Sequence, residues 1–215
     1  NVTFDENAVK EYIKSLAAKY DTKGKERTFT SASGNTVTVS GGSYGWKIDQ
    51  DAEYNALIAN IQNAETVTRE PNYSSRAASH EGNDMGNTYA EVNLTTQHMY
   101  YVKDGQIALE TDVVTGNPNK GNDTPAGVYS LAYKAKDQTL RGTKKADGTY
   151  EYETPVKYWM PFNGGVGFHD ASWQPTFGGS RYLTNGSHGC VNMPPEMAAK
   201  LFDLISAGTP VIVHN

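Results

Sequence analysis

The only cysteine in the 215-residue chain, Cys190, lies in the segment Ser187-His188-Gly189-Cys190-Val191-Asn192. One thiol forms no internal disulfide, so it is not scaffold. A structural cysteine sits in an apolar run as a small buried hydrophobe. Polar and glycine residues surround this one, in a loop read as lying between a strand and a helix. Thiolate chemistry needs a partly exposed sulfur near an imidazole or near backbone N–H groups that stabilise negative charge. Gly189 lets the backbone turn sharply, which brings the N–H groups of Gly189 and Cys190 within reach of a developing oxyanion. The plainer reading of the same glycine is a tight turn made for structural reasons alone.

A nucleophilic thiol needs a base, and five histidines compete for that role. His80 reads as part of a connection, His98 as a strand residue and His214 as a terminal one. His188 adjoins the cysteine loop, but a residue two positions away on a turning chain usually points elsewhere. It reads as the base or as an orienting and backbone contributor. His169 ends the strand Gly164-Gly165-Val166-Gly167-Phe168, whose glycines allow another backbone or a substrate to come close. It is the best base. Asp170 beside it either orients the ring or begins a turn. Trp159 and Trp173 flank His169 in sequence, Trp173 as a candidate wall of the site and Trp159 more naturally as packing.

The elements that must hold these residues fall into two groups. At about 150 residues per domain the chain is one large domain or two small ones. Asp5 caps a helix with Val9, Tyr12, Ile13, Leu16 and Tyr20 on one face. A hairpin follows, Thr28-Phe29-Thr30 and Thr36-Val37-Thr38-Val39 around Ser33-Gly34-Asn35, then a helix capped by Asp49 or Asp51. Residues 66–87 lose periodicity and read as a surface connection, so 1–87 is expected to be a small mixed unit with a linker. Residues 88–215 are expected to be mainly β: strands at 89–94, 97–102, 106–114, 127–133, 156–161 and 165–169, a short helix from Pro194-Pro195, and 211–214 closing the sheet. The fold class is α+β.

Nineteen basic against 24 acidic residues leave a net charge of −5, which argues against nucleic acid or an anionic membrane face as partner. Neutral or cationic substrates remain open. No run approaches the length of a membrane span. The chain starts at Asn1 without a methionine and reads as a processed or truncated piece of something longer.

His169, seventeen residues, then Ser187-His188-Gly189-Cys190-Val191-Asn192 resembles the signature of the L,D-transpeptidase (YkuD-type) catalytic domain. Asp123-Thr124-Pro125-Ala126-Gly127-Val128-Tyr129 and Val113-Val114-Thr115-Gly116 resemble further segments of that family, and Tyr44-Gly45-Trp46-Lys47-Ile48-Asp49 before a helix is similar to the peptidoglycan-binding modules that precede such domains. The resemblance implies a sandwich-like fold over 88–215. It implies that Cys190 attacks the bond between the third residue and terminal D-Ala of a peptidoglycan stem tetrapeptide, then passes the acyl group to an acceptor amine. His169 would pair with the thiolate and move the protons. The N–H groups of His188, Gly189 and Cys190 would hold the oxyanion, and Ser187 and Asn192 would shape the pocket. No cofactor or metal is implied. Carbapenems are implied as acylating inhibitors, the cell-wall face of the envelope as the location with an anchor in the parent protein, and a monomer as the expected state. Residues 137–154, with Arg141, Lys144 and Lys145, read as a hairpin lid or as a solvated hairpin. A carboxypeptidase, a sortase-like transpeptidase and a non-catalytic wall-binding module are the alternatives. Sortases carry an arginine after the cysteine, and none follows Cys190.

Overall fold

The computed structural model describes residues 2–215 and divides into two compact units. One holds the chain up to Lys25 together with Tyr44–Gly86; the other holds Glu26–Ser43 together with Asn87–Asn215.

Helix α1 (Glu6–Tyr20) begins where the Asp5 carboxylate accepts the N–H groups of Asn7 and Ala8. Ile13 and Ala17 are its buried residues, with Val9 and Leu16 half-buried beside them. Tyr12 and Tyr20, expected on the same face, are exposed. Tyr12 lies about 100° round the helix from Ile13, and Tyr20 is in the last turn, so neither reaches the packed stripe. The hairpin pairs β1 (Arg27–Thr30) with β2 (Thr36–Val39) around Gly34 at φ 92°. Next come β3 (Lys47–Ile48), α2 (Gln50–Gln62, capped by Asp49) and β4 (Tyr73–Ser75), which pairs antiparallel with β3. The expected surface connection over 66–87 is therefore partly ordered. It carries β4, it buries Met85, and the Tyr44 hydroxyl donates to the Asp84 carbonyl while accepting from the Ala78 N–H. A three-residue strand is too short to show alternation in sequence.

The second unit contains two sheets. The strands β5 (Tyr89–Asn93), β6 (His98–Lys103), β7 (Gln106–Asp112) and β8 (Gly127–Ser130) are followed by β9 (Ala135–Arg141), β10 (Glu153–Asn163) and β11 (Val166–Asp170). Helix α3 (Arg181–Asn185), β12 (Val191–Met193), α4 (Pro195–Leu204) and β13 (Pro210–His214) complete it. The five-stranded sheet has the order β7-β6-β5-β13-β8 and the four-stranded sheet β12-β11-β10-β9. Both contribute to one core: Val92, Tyr101, Val211 and Val213 from the first, Met160, Phe168, Val191 and Met193 from the second, with Ala198 and Leu201 of α4. The α+β class with a sandwich-like β unit and a short late helix follows directly. Strand β13 does not close a sheet edge; it lies between β5, parallel, and β8, antiparallel. Strand β12 and helix α3 were not expected.

The hairpin β1–β2, expected within 1–87, belongs to this second unit. A buried polar cluster explains why. Glu91 on β5 and His214 on β13 are almost fully buried, with His214 Nε2 2.8 Å from the Glu91 carboxylate. Ser31 and the Ala32 N–H, from the hairpin's turn, donate to the same carboxylate. Burial pushes the Glu91 carboxyl up, but the bonds from His214, Ala32 and Ser31 outweigh it and hold it below the ordinary value of 4.5. Burial pushes the His214 imidazolium down, and its bonds to Glu91 and the Asn215 carbonyl outweigh that and raise it above 6.5.

The linkage has two limbs. A depressed carboxyl contributes stability that is lost as pH falls through its folded value, and a raised imidazole contributes stability that is lost as pH rises through its own. The thermal midpoint is expected to peak between about pH 4.5 and 6.5 and to fall on both sides. His214→Ala, which strands a buried carboxylate, is expected to destabilise by about 3–5 kcal/mol and to flatten the alkaline limb. A thermal-unfolding series in which wild type and variant show parallel pH profiles would overturn the assignment.

Candidate active site

His169 and Cys190 reach one place because β11 and β12 run parallel. The register sets Phe168 against Val191, His169 against Asn192 and Asp170 against Met193, so Cys190 stands just before the entry of β12, beside the start of β11. The other face of His169 is set by β10, where Trp159 is its partner. Both His169 and Cys190 line a cavity of about 430 Å³, together with Tyr152, Trp173, Arg181 and Lys120 among others.

The cysteine loop is held from beneath by the chain after β7. Val114 and Asn192 exchange backbone hydrogen bonds of 3.0 and 2.8 Å; the Ser187 N–H donates to the Thr115 carbonyl and the Asn117 N–H to the Ser187 carbonyl. Thr124 accepts the Gly116 N–H and donates to the Gly189 carbonyl at 2.7 Å. Gly116 has to be glycine: a Cβ there would stand 1.7 Å from the Asn122 carbonyl oxygen. Gly189 adopts φ 135°, a region that a side chain rarely tolerates. Behind these, fully buried Gln97 donates to the Thr115 hydroxyl and accepts the Thr115 N–H. The segments Val113–Gly116 and Thr124-Pro125 are thus the floor of the cysteine loop.

His169 is 4 % exposed, and its Nδ1 lies 2.8 Å from the Asp170 carbonyl. A carbonyl only accepts, so Nδ1 carries the proton and Nε2 keeps a free lone pair. The Asp170 carboxylate does neither task expected of it. It accepts the N–H groups of Lys157 and Tyr158 and ties β11 to β10. The backbone of Asp170, not its side chain, orients the ring. Burial pushes the His169 imidazolium below its ordinary 6.5, against the opposing pull of the Asp170 carbonyl and carboxylate.

Burial also pushes the Cys190 thiol up to about 11, with a hydrogen bond from the Gly167 N–H pulling the other way. The thiol donates to the Gly165 carbonyl at 3.3 Å. Both groups are therefore neutral at pH 7. The glycines before His169 let the strand's backbone reach the sulfur, as their sequence suggested.

The Gly189 N–H does not face the cavity as an oxyanion donor; it donates to the Ser187 hydroxyl, which in turn donates to the Cys190 carbonyl. Ser187 fixes the loop's shape, and His188 and Cys190 supply its remaining N–H groups. The His188 ring is exposed and stacks on Tyr152 with centroids 4.3 Å apart. Asn192 is buried, and its Oδ1 has no hydrogen-bond partner among the described residues. Trp173 lies half-exposed with its ring 5.8 Å from His169, whereas Trp159 is buried and donates to Tyr133.

The other histidines are engaged elsewhere: His80 stacks on Trp46, His98 lies between Glu110 and Asp112, and His214 serves Glu91. Among the described residues no group of three or more His, Cys, Asp and Glu is placed to hold a metal ion. Sequence reasoning missed Gln97, Gln174, Arg181 and Lys120. Tyr152 was inside the expected hairpin of 137–154, which forms from β9 and β10 and whose Leu140, Tyr152 and Thr154 line the cavity.

Residues 87–213 match the family model described as L,D-transpeptidase catalytic domain (YkuD), and residues 1–69 match the model described as putative peptidoglycan binding domain. A crystal structure of a mutant Enterococcus faecium L,D-transpeptidase aligns over 100% of this chain and 84% of its own, with 42% identity and a TM-score of 0.84. The Ldtfm–avibactam carbamoyl enzyme aligns similarly, with 42% identity, a TM-score of 0.85 and coverage of 100% and 83%. The E. faecium catalytic domain acylated by ertapenem is 52% identical over 61% of this chain and 100% of its own, with a TM-score of 0.54. L,D-transpeptidase 1 of Mycobacterium tuberculosis is 27% identical over 143 residues, 62% of this chain; the chain spans about half, 53%, of that curated relative. With more than half of its length matched by the catalytic model, this chain belongs to the L,D-transpeptidase (YkuD) family.

Proposed function

We propose that this protein cross-links peptidoglycan stems by thiol acyl transfer, with Cys190 as nucleophile and His169 as general base. The observation that carries the reading is a ring whose Nδ1 is locked onto the Asp170 carbonyl, leaving Nε2 unprotonated in the cavity that holds the only thiol. As a carbonyl carbon approaches the sulfur, His169 Nε2 takes the thiol proton. The new C–S bond forms a tetrahedral oxyanion, which the N–H groups of His188 and Cys190 stabilise at about 3 kcal/mol per donor. The imidazolium then protonates the departing D-Ala amine and leaves a thioester. An acceptor amine gives its proton to His169 and takes the acyl group, which restores the thiol. The neutral resting pair replaces the preformed ion pair that the family resemblance implied, because burial opposes charge on both groups.

Ser187 holds the loop, His188 closes against Tyr152 over the cavity, and the unsatisfied Asn192 Oδ1 accepts an N–H of the bound stem. The amino-terminal match supports attachment to peptidoglycan and a place at the cell wall. The ertapenem-acylated relative supports carbapenems as acylating inhibitors of this chain. Capture of the thioester by water in place of an amine would make the protein an L,D-carboxypeptidase.

Incubation with a disaccharide tetrapeptide, read by mass spectrometry, is expected to give a cross-linked dimer with release of D-Ala, and none with Cys190→Ala. Tripeptide alone would establish the carboxypeptidase, and equal product from the variant would remove Cys190 from the mechanism.

Acylation by a carbapenem offers a pH test. The base must be neutral, and His169 sits below its ordinary 6.5. The second-order rate is therefore expected to be level through neutral pH and to fall tenfold per unit only on the acid side of that value. His169→Gln should lower the rate by about 10²–10⁴ and abolish that limb. A rate that instead climbs steadily from pH 7 toward the thiol value would mean that free thiolate attacks unaided.

A further inference from the structure

Among the described residues, the lining of the active-site cavity contains Lys120 and Arg181 and no aspartate or glutamate, although the chain carries 24 acidic residues and a net charge of −5. Arg181 also differs from other arginines of the protein. Arg69, Arg76 and Arg141 each meet a glutamate carboxylate, at 2.9, 3.5 and 2.9 Å. Arg181 meets a neutral amide: its Nε donates to Gln174 Oε1 at 3.0 Å. Gln174 is buried and is itself fixed, donating through Nε2 to the Asn185 carbonyl at 2.9 Å. The guanidinium is thus steered through one edge by an uncharged, immobilised partner. Its terminal nitrogens, the pair that grips a carboxylate two-handed, remain for a ligand. A buried amide spent on aiming a cation that no carboxylate among the described residues neutralises is the arrangement of an anion anchor.

We propose that Arg181, aimed by Gln174 and assisted by the charge of Lys120, binds a carboxylate of the acyl-donor peptide and so selects and orients anionic donors in front of Cys190. This rests on the acyl-transfer reading above for the identity of the donor. Two carboxylates of a stem are candidates, the free terminus of the residue that leaves and a carboxylate further back along the peptide. Gln174 is a positioning residue, and Arg181 a specificity-determining one.

The test uses binding, so that it does not depend on turnover. The full chain carrying Cys190→Ala is titrated calorimetrically with a synthetic stem tetrapeptide ending in D-Ala and with its C-terminal primary amide, at low and high salt. The acid is expected to bind about tenfold more tightly than the amide, the gap narrowing with salt, and Arg181→Gln to erase the gap. Arg181→Lys should recover only part of it, because an ammonium lacks the planar fork. Gln174→Leu, which keeps the charge but releases its aim, should narrow it too. Equal affinity for acid and amide, with both weakened at least fivefold by Arg181→Gln, would also uphold the anchor and assign it to a carboxylate further back. Unchanged affinity for both peptides in Arg181→Gln overturns it. Release of D-Ala by the protein with Cys190 intact is measured alongside: no release with the acid preference present would overturn the acyl-transfer reading and leave the anchor standing.

Discussion

The short parallel pairing of β11 with β12 is the constraint on which the site depends. Three residue pairs, Phe168 to Val191 through Asp170 to Met193, fix where His169 stands relative to the Cys190 loop. Parallel neighbours cannot be joined by a tight turn, so the chain must leave β11 and return through a crossover. That crossover carries Trp173, Gln174, Arg181 and the whole of α3, and it supplies much of the cavity wall. The wall is therefore a by-product of the strand order. The same pairing is braced on its far side by Val114 and beneath by Thr124, so the loop is held by β11, the chain after β7 and a hydroxyl.

Burial then decides the state of Cys190 and His169. A thiol pushed up to about 11 and an imidazolium pushed below 6.5 leave a neutral pair at rest. Thiols are oxidised and alkylated as thiolates, so a protonated one is protected from adventitious electrophiles. On the proposed mechanism, reaction requires something that removes the proton at the moment of attack, and the tautomer set by the Asp170 carbonyl suits His169 to that role. The Gly167 N–H, already bonded to the sulfur, opposes the cost of charge there. Reactivity is thus tied to the arrival of a substrate and not to the free thiol.

Local signals carried well from sequence, and contacts distant along the chain did not. Caps, hairpin turns and the glycine-rich approach to His169 each act within a few residues, and α1, α2 and β11 stand where those signals placed them. The hairpin β1–β2 was legible as a hairpin but not as a partner of β5, because the tie runs from Ser31 to Glu91 across 60 positions. The donor role expected of Gly189 failed for a subtler reason. Its N–H was available in any open loop, and only the folded position of the Ser187 hydroxyl shows that it is spent. Arg181 and Gln174 leave no motif at all; what distinguishes them is the absence of a carboxylate near a guanidinium, a property of three-dimensional arrangement.

Net charge illustrates the same point with a consequence for the reaction. A chain of charge −5 left neutral or cationic substrates open, yet the charged residues lining the cavity around Cys190 are Lys120 and Arg181. The field felt by a ligand is set by the groups within a few ångströms, since more distant exposed charges are screened beyond about 10 Å at ordinary salt. In an acyl transfer to an amine this lining acts on both substrates. On the proposed anchor it attracts an anionic donor, and it disfavours the ammonium form of an acceptor, since like charges lower the acceptor's pKa. An amine that enters such a cavity does so more readily as the free base, the form with the lone pair that attacks a thioester. The positive lining and the neutral imidazole then act in the same direction, the one releasing the acceptor's first proton to solvent and the other taking the proton freed as the new amide forms.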